Sequence, residues 1–229
     1  MEGSTSEIAA QLEKVQAPRQ TVRELHWQRT DEQMRRTVDA LGRPIDPGIL
    51  DAVVALNSNK ISTAGSCEGH LDHGLAAPWI DVSSPMAESM RDDFWALRER
   101  GATREELDHV RHQIERRNLV VRAVLLQELA AFYEHRHVPY DVRLTIQDRA
   151  MAESRLESQG ASLQEIRDSL VRQRKLVEYR SEFNAFARYL RIREGGLSRA
   201  LNQPPTSRAT TAEQRGIHTR AVQPARALT

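Results

Sequence analysis

One short segment holds most of the side chains in this sequence that could carry out chemistry. Residues 61–83 read ISTAGSCEGHLDHGLAAPWIDVS, in which a β-branched run is followed by a polar loop and a second apolar run. Seven consecutive positions contain the only cysteine of the chain, two histidines and two acids, namely Cys67, Glu68, His70, Asp72 and His73. These side chains can bind a metal, act as a nucleophile or move a proton near neutral pH. We therefore predict the functional site in residues 64–77, which we call the cysteine loop.

Three residues of the cysteine loop have a spacing that fits a transition-metal ion. Cys67, His70 and His73 form a C-x2-H-x2-H pattern. Zinc binds sulfur and nitrogen ligands in tetrahedral geometry, and catalytic zinc sites combine three protein ligands with one open position. Asp72 or Asp81 would serve as a fourth ligand or as an acceptor for an imidazole N–H. The pattern predicts zinc or another divalent transition metal, and the alternative is a loop whose histidines are exposed or bond to the backbone.

Catalysis without a metal is a second hypothesis for the same loop. Cys67 becomes a nucleophile if a helix N-terminus or a cation, such as protonated His70, lowers the pKa of its thiol. Glu68 or Asp72 would then act as the proton acceptor. The alternative is a buried thiol without a reaction, which is the common role of a lone cysteine.

Small and polar residues around the cysteine predict that a ligand can approach the backbone. Glycine has no Cβ, and successive backbone N–H groups in such turns favour anions. Arg143, on the polar face of a predicted strand, could meet a carboxylate or a phosphate of a ligand. Trp79 is predicted either as a core residue or as a ligand contact. The predicted ligand-contacting residues are Ser66, Gly69, Trp79, Asp81 and Arg143.

The elements on either side of the cysteine loop follow from caps and periodicity. Asp46 followed by Pro47 is the favoured start of a helix, and a broad apolar stripe continues that helix to residue 57. Thr103 with Glu106 matches a capping box at the start of a long helix. The sequence predicts strands at 60–64 and 78–83 and helices at 47–57, 86–100 and 104–134.

The C-terminal half adds one strand and one long helix. Residues 141–146, DVRLTI, alternate apolar and polar side chains, which predicts a half-buried strand. We expect this strand to pair with 79–82, because isolated strands do not persist in water. Residues 148–158 are ambiguous and are predicted as helix. The helix predicted at 162–194 either completes the core or projects as an arm for self-association.

Together these elements predict an α+β protein in which a small β-sheet is packed by several helices. Four regions are expected: a flexible N-terminus at 1–19, a core domain at 20–160, a long helix at 161–195 and a disordered basic tail at 196–229.

Composition restricts the classes of function. Lys and Arg total 33 and Asp and Glu total 32, a net charge of +1 that does not indicate strong non-specific nucleic-acid binding. No apolar run approaches the ~18–20 residues of a membrane span. The polar, acidic N-terminus is unlike a signal peptide, and one cysteine excludes an internal disulfide framework. We expect a cytoplasmic protein without membrane contact.

The stretch from Asp46 to Ser83 resembles two families. It is similar to uncharacterised bacterial proteins that share an SCEGH…PW signature. It also resembles the wybutosine-synthesising tRNA methyltransferases, which carry a Ser-Cys-x-Gly-basic loop between a Thr-containing strand and a strand with Trp, an aliphatic residue and Ser. The matching residues are Leu56–Asn57, Thr63, Ser66–His70 and Trp79–Ser83. The second resemblance implies a small-ligand pocket near Ser66, Cys67 and Gly69, with S-adenosylmethionine and RNA as partners.

Three functions remain open from the sequence. The first is binding of a small ligand at residues 65–81, with or without catalysis and with or without a metal. The second is a helical interaction or scaffold protein, a homo-oligomer through its long helices, whose Cys/His loop is purely structural. The third is a nucleotide- or RNA-modifying enzyme related to the tRNA methyltransferases. The substrate is not identifiable from the residues.

Overall fold

The computed structural model describes residues 22–72, 76–160 and 163–193. Within these ranges the chain forms an α+β fold, as predicted. Helix α1 covers 22–36 of the described residues, and it is followed by α2 (Pro47–Ser58), α3 (Pro85–Glu99), α4 (Arg104–Tyr133) and α5 (Ser169–Arg193). The strands are β1 (Ser62–Cys67), β2 (Trp79–Ser83), β3 (Leu144–Asp148) and β4 (Ser154–Ser158). The regions predicted at 1–19 and 196–229 lie outside the described residues.

The four strands form one antiparallel sheet in the order β1-β2-β4-β3. The expected pairing of the 141–146 strand with 79–82 is wrong, because β4 lies between β2 and β3. The prediction of helix over 148–158 is also wrong, because β4 occupies Ser154–Ser158. Strand β4, SRLES, has Leu156 as its only large apolar residue, so its alternation is too weak to recognise from the sequence.

The sheet has one apolar face and one polar face. Ile80, Leu156 and Ile146 lie in one cross-strand row and are 0–8% exposed, on the side covered by helices. Their neighbours along the strands point to the other side, where Trp79, Arg155 and other polar residues are half-buried. Residues 68–72 of the cysteine loop leave the sheet at the end of β1, so this part of the loop lies at one corner of the two-faced layer.

Helices α2, α4 and α5 close the apolar face. The C-terminal half of α4 supplies Leu125 and Phe132, and α5 supplies Phe183 and Phe186 to the same core. The rings of Phe132 and Phe186 pack edge to face with centroids 5.3 Å apart. Of the two roles predicted for the long helix, the structure therefore shows completion of the core.

Most element boundaries match the expectation closely, and three differ. Strand β1 continues to Cys67 instead of ending at 64, because Gly65 and Ser66 are accommodated in the strand beside a bulge rather than in a turn. Helix α5 begins at Ser169 rather than at 162, since a short 3₁₀ turn at Leu163–Glu165 precedes it. Strand β3 begins at Leu144 rather than at 141, since a 3₁₀ turn at Tyr140–Val142 precedes it. The first difference matters for the site, because it places Ser66 and Cys67 on a strand.

None of the helices in the described ranges combines the length and apolar character needed to cross a bilayer.

Candidate metal centre

The cysteine loop is closed at its base by the first two strands. Cys67, the last residue of β1, pairs directly with Trp79, the first residue of β2. The residues immediately after Cys67 then pass over the N-terminus of α2 and beside α5, where a backbone N–H of α2 and a side chain of α5 hold them. The loop is therefore anchored to two helices that lie far from it in sequence.

Three potential metal ligands meet at the start of this loop. The carboxylate of Asp46, the sulfur of Cys67 and the imidazole of His70 place one ligand atom each within 4.8 Å of one another. His70 Nε2 and Asp46 Oδ2 are 3.5 Å apart, and all three residues are half-buried. This metal group, Asp46, Cys67 and His70, could hold a metal ion.

The group contains two members of the predicted C-x2-H-x2-H set, Cys67 and His70, and the third, His73, lies outside the described residues. It adds Asp46, which the sequence marked only as a helix N-cap. Asp46 occupies the N-cap position of α2 but makes no capping hydrogen bond with its side chain. Its Oδ2 instead accepts a 3.1 Å hydrogen bond from the backbone N–H of Glu68. Its carboxylate therefore faces the loop, which spacing alone could not reveal.

Glu68, which the sequence predicts as a proton acceptor, makes two structural contacts. Its Oε2 accepts a 2.6 Å hydrogen bond from the backbone N–H of Gly48, in the first turn of α2. Its Oε1 lies 2.9 Å from Nη2 of Arg180 on α5. Glu68 thus caps α2 in place of Asp46 and is ion-paired at the same time, which leaves the Asp46 carboxylate available to the metal group.

Arg180 is the residue of the site that sequence reasoning missed entirely. Besides the Glu68 carboxylate, its guanidinium donates hydrogen bonds to two loop carbonyls, Glu68 O at 2.8 Å and Gly69 O at 2.6 Å. The residue lies 112 positions after Glu68 on a helix rich in arginine. Nothing in its local sequence distinguishes it from its neighbours, and only the packing of α5 brings it to the loop.

Gly69 serves the packing of the loop. Its φ is +80°, a left-handed conformation that favours glycine. A Cβ at this position would contact the carbonyl oxygen of Ala76 and would lie 2.9 Å from Cδ1 of Leu176. The positive φ and the close contacts with Ala76 and Leu176 explain a glycine at position 69 without the predicted ligand contact.

The environment of Cys67 favours the protonated thiol. Burial raises the pKa of Cys67, and the carboxylates of Asp46 and Glu68 raise it further. The N–H of Gly69, which donates a 3.3 Å hydrogen bond to Sγ, and the guanidinium of Arg180 act in the opposite direction. A thiol with a raised pKa is a poor nucleophile on its own, whereas a bound divalent metal would remove its proton. The arrangement suits a metal ligand better than a nucleophile acting alone.

Asp81 and Trp79 belong to a separate interaction on the polar face of the sheet. Asp81 forms a bidentate ion pair with Arg155, with N–O distances of 2.6 and 2.7 Å. The same guanidinium lies 3.8 Å from the centroid of the Trp79 ring. Asp81 is therefore not part of the metal group, and Arg155 covers the ring of Trp79 that was predicted to contact a ligand.

The structure does not bring Arg143 to the cysteine loop. Arg143 immediately precedes β3, at the sheet edge opposite β1, and its guanidinium lies 5.2 Å from the ring centroid of Tyr133. The expectation that Arg143 borders the loop depended on the pairing of its strand with β2, which β4 prevents. Ser66, by contrast, lies directly beside the metal group, one residue before Cys67, and pairs with Ile80.

Comparison of the chain with protein-family models, with curated proteins and with solved structures finds no match. The likeness to the SCEGH…PW proteins and to the tRNA methyltransferases stays a prediction, and the geometry of the site carries the functional argument.

Proposed function

We propose that this protein binds a divalent transition metal, preferentially zinc, through Asp46, Cys67 and His70, and that the metal binds a small ligand. The observation that supports the proposal most strongly is the convergence of a carboxylate, a thiol and an imidazole from two separate segments within 4.8 Å. The enclosing loop is held in place by hydrogen bonds from both α2 and α5. Such support is what a metal site needs in order to be formed before the ion arrives.

The ligand types favour zinc over the hard cations. Thiolate and imidazole ligands suit zinc and related transition metals, whereas magnesium and calcium prefer oxygen. In a tetrahedral zinc site, bonds of 2.0–2.3 Å place neighbouring ligand atoms about 3.3–3.8 Å apart. The 3.5 Å separation of His70 Nε2 from Asp46 Oδ2 already fits that range, and no pair in the group needs to approach by more than about 1.5 Å.

The local charge also favours a divalent ion. The formal charges of Asp46, Glu68 and Arg180, together with a neutral His70 and a protonated Cys67 thiol, sum to one net negative charge. Metal binding releases the thiol proton, so a divalent ion brings the cluster to neutrality. A half-buried site that is neutral with its ion costs less desolvation free energy than one left charged.

The three ligands found among the described residues leave a fourth coordination position, which we propose is open to an external group. Zinc sites of this composition bind water or substrate there and supply a Lewis acid, whereas four protein ligands make a closed structural site. Glu68 does not fill the position, because Gly48 and Arg180 engage its carboxylate. The residues in place thus fit a ligand-binding centre, and S-adenosylmethionine, RNA and oligomeric partners remain predictions.

Metal stoichiometry of the purified full chain tests the proposal. After incubation with zinc and gel filtration, we expect about one equivalent of zinc in the native protein and less than about a tenth in Cys67→Ala, His70→Ala and Asp46→Ala. His112→Ala and Asp92→Ala, which change exposed residues of α4 and α3, are matched controls and should keep the full equivalent. A native protein that retains no zinc, or ligand variants that retain as much as the controls, would contradict the proposal.

A further inference from the structure

One peptide group joins Arg180 to the sulfur of Cys67. The carbonyl oxygen of Glu68 accepts a 2.8 Å hydrogen bond from Nε of Arg180. The N–H of the same peptide group is that of Gly69, and it donates to Cys67 Sγ at 3.3 Å. Because a peptide unit is planar, fixing its carbonyl also fixes its N–H. A charged donor on the carbonyl also polarises the N–H and strengthens its hydrogen bond to sulfur.

Arg180 holds the next peptide group as well. Its Nη2 donates to the carbonyl oxygen of Gly69 at 2.6 Å, in the peptide unit that leads to His70. One guanidinium therefore holds two of the three peptide units between the sulfur ligand and the imidazole ligand. Arginine suits this task because its planar fork presents several donors in fixed directions.

Gly48 secures the loop from the opposite side. The absence of a side chain lets Oε2 of Glu68 reach the N–H of Gly48, and a Cβ there would collide with that oxygen. The N–H of Glu68 in turn donates to Asp46, the carboxylate ligand. The Gly48–Glu68–Arg180 contacts thus connect to all three members of the metal group without supplying a ligand atom themselves.

We propose that Arg180 is a positioning residue of the metal centre, so that metal affinity depends on the docking of α5 against the cysteine loop. This inference depends on the proposed metal site. It goes beyond that site by assigning to the C-terminal helix the task of orienting ligands that lie more than a hundred residues earlier in the chain. Outer contacts of this kind typically change metal affinity by about 10- to 100-fold when they are removed.

Zinc affinity of full-length variants tests the role of Arg180. Competition with a chromophoric chelator at 25 °C should show a Kd raised about 10- to 100-fold in Arg180→Met, with a smaller rise in Arg180→Lys, which can reach only part of the same acceptors. Arg174→Met, which removes an exposed arginine of the same helix, should stay within twofold of the native Kd.

Gly48→Ala disturbs the same contacts from the α2 side, because the added Cβ would collide with Oε2 of Glu68. It changes neither a ligand nor Arg180. We expect it to weaken zinc binding in the same direction, while circular dichroism shows that each variant is folded at the temperature of the titration. A purely structural role would lower only the thermal unfolding temperature of the metal-free protein. Folded Arg180→Met and Gly48→Ala proteins with native zinc affinity would overturn the inference and leave the metal site intact. A native protein that binds no zinc would instead remove the site itself, and the inference with it.

Discussion

The carboxylate of Glu68 caps a helix that begins 21 residues before it. Its Oε2 accepts a 2.6 Å hydrogen bond from the N–H of Gly48, while Asp46, which occupies the N-cap position, makes no capping bond. An N-cap acid normally satisfies the first free N–H groups of its own helix. Here that task is transferred to Glu68, and Asp46 is released to face Cys67 and His70. The exchange of roles between two acids is what creates the metal group.

Asp46→Asn should separate metal binding from stability. Asparagine is as good an N-cap residue as aspartate, and Glu68 caps α2 in either case, so the free energy of unfolding should change by less than about 0.5 kcal/mol. Zinc affinity should fall strongly, because an amide is a poor zinc ligand. Urea denaturation of the metal-free proteins and a zinc titration measure the two effects. Equal zinc affinity in the native and variant proteins would show that Asp46 is not a ligand.

Glu68→Ala should have the complementary effect on the fold. It removes a helix cap and a half-buried ion pair, and we expect a loss of about 1–2 kcal/mol in the free energy of unfolding. Glu99→Ala, at an exposed position of α3, is the control and should change that free energy by less than about 0.5 kcal/mol. The comparison uses urea denaturation with zinc removed by a chelator. Equal stability of the two variants would argue against capping by Glu68.

Gly69→Ala should destabilise the protein more than Gly101→Ala. Both glycines have positive φ, +80° and +73°, so both substitutions carry a similar backbone cost of about 1 kcal/mol. A Cβ at Gly101 meets nothing within 4 Å, whereas one at Gly69 meets Ala76 and Leu176. The difference between the two unfolding free energies therefore measures the cost of overpacking the cysteine loop. We expect this cost to be about 1–3 kcal/mol. A difference near zero would mean that the loop is not packed as described.

Lys175→Met should reveal a pH-dependent contact at the start of α5. Hydrogen bonding to Lys175 Nζ at 2.8 Å holds the pKa of Asp141 below its usual value, and the same contact helps raise the pKa of Lys175 to about 12. A lowered folded-state pKa means that the stabilisation is present above about pH 4, the unfolded-state value, and is lost as the pH falls through the folded-state value.

Because the Asp141–Lys175 pair is partly exposed, we expect the substitution to cost about 0.5–1 kcal/mol at pH 7. The difference between native and variant stability should shrink towards zero in the acid range, once Asp141 is protonated in both proteins. Urea denaturation at a series of pH values measures this. A difference that is unchanged between pH 7 and about pH 2 would contradict the assignment.

His73→Ala distinguishes a ligand-binding centre from a closed structural one. The three-ligand group predicts that this variant keeps about one equivalent of zinc with an affinity within about fivefold of the native value, because the fourth position is open to an external ligand. His70→Ala, three residues earlier, is the matched variant that should lose binding. A loss of affinity in His73→Ala as large as that in His70→Ala would show four protein ligands and a structural site.

Local signals in the sequence predict the helices well. The Asp46–Pro47 pair and the Thr103–Glu106 capping box locate the starts of α2 and α4, and in the structure the Thr103 hydroxyl accepts from the N–H of Glu106 while Glu106 accepts from the N–H of Thr103. Such signals act within one turn of helix, so one sequence suffices to read them. Strand β4 is missed because Ser154 and Ser158 are buried polar residues that mask the apolar alternation.

The candidate site could be predicted only where its members are close in sequence. Cys67 and His70 lie in one loop, and their types indicate metal chemistry on their own. Asp46 and Arg180 reach the same place through the packing of α2 and α5, and neither has a local feature that marks it as part of the site. The positions of the other predicted site residues depend on how the strands pair across the sheet. An error in that pairing led to the wrong expectation for Arg143.

The most direct test of the metal centre is titration of the native full chain with cobalt(II), which replaces zinc and reports its ligands by absorption. We predict a thiolate-to-cobalt band and the strong visible bands of a four-coordinate ion, saturating at about one equivalent and displaced by zinc. Cys67→Ser should lack the thiolate band. A native protein that develops neither band, or a thiolate band that persists without Cys67, would contradict the assignment of Asp46, Cys67 and His70 as a metal site.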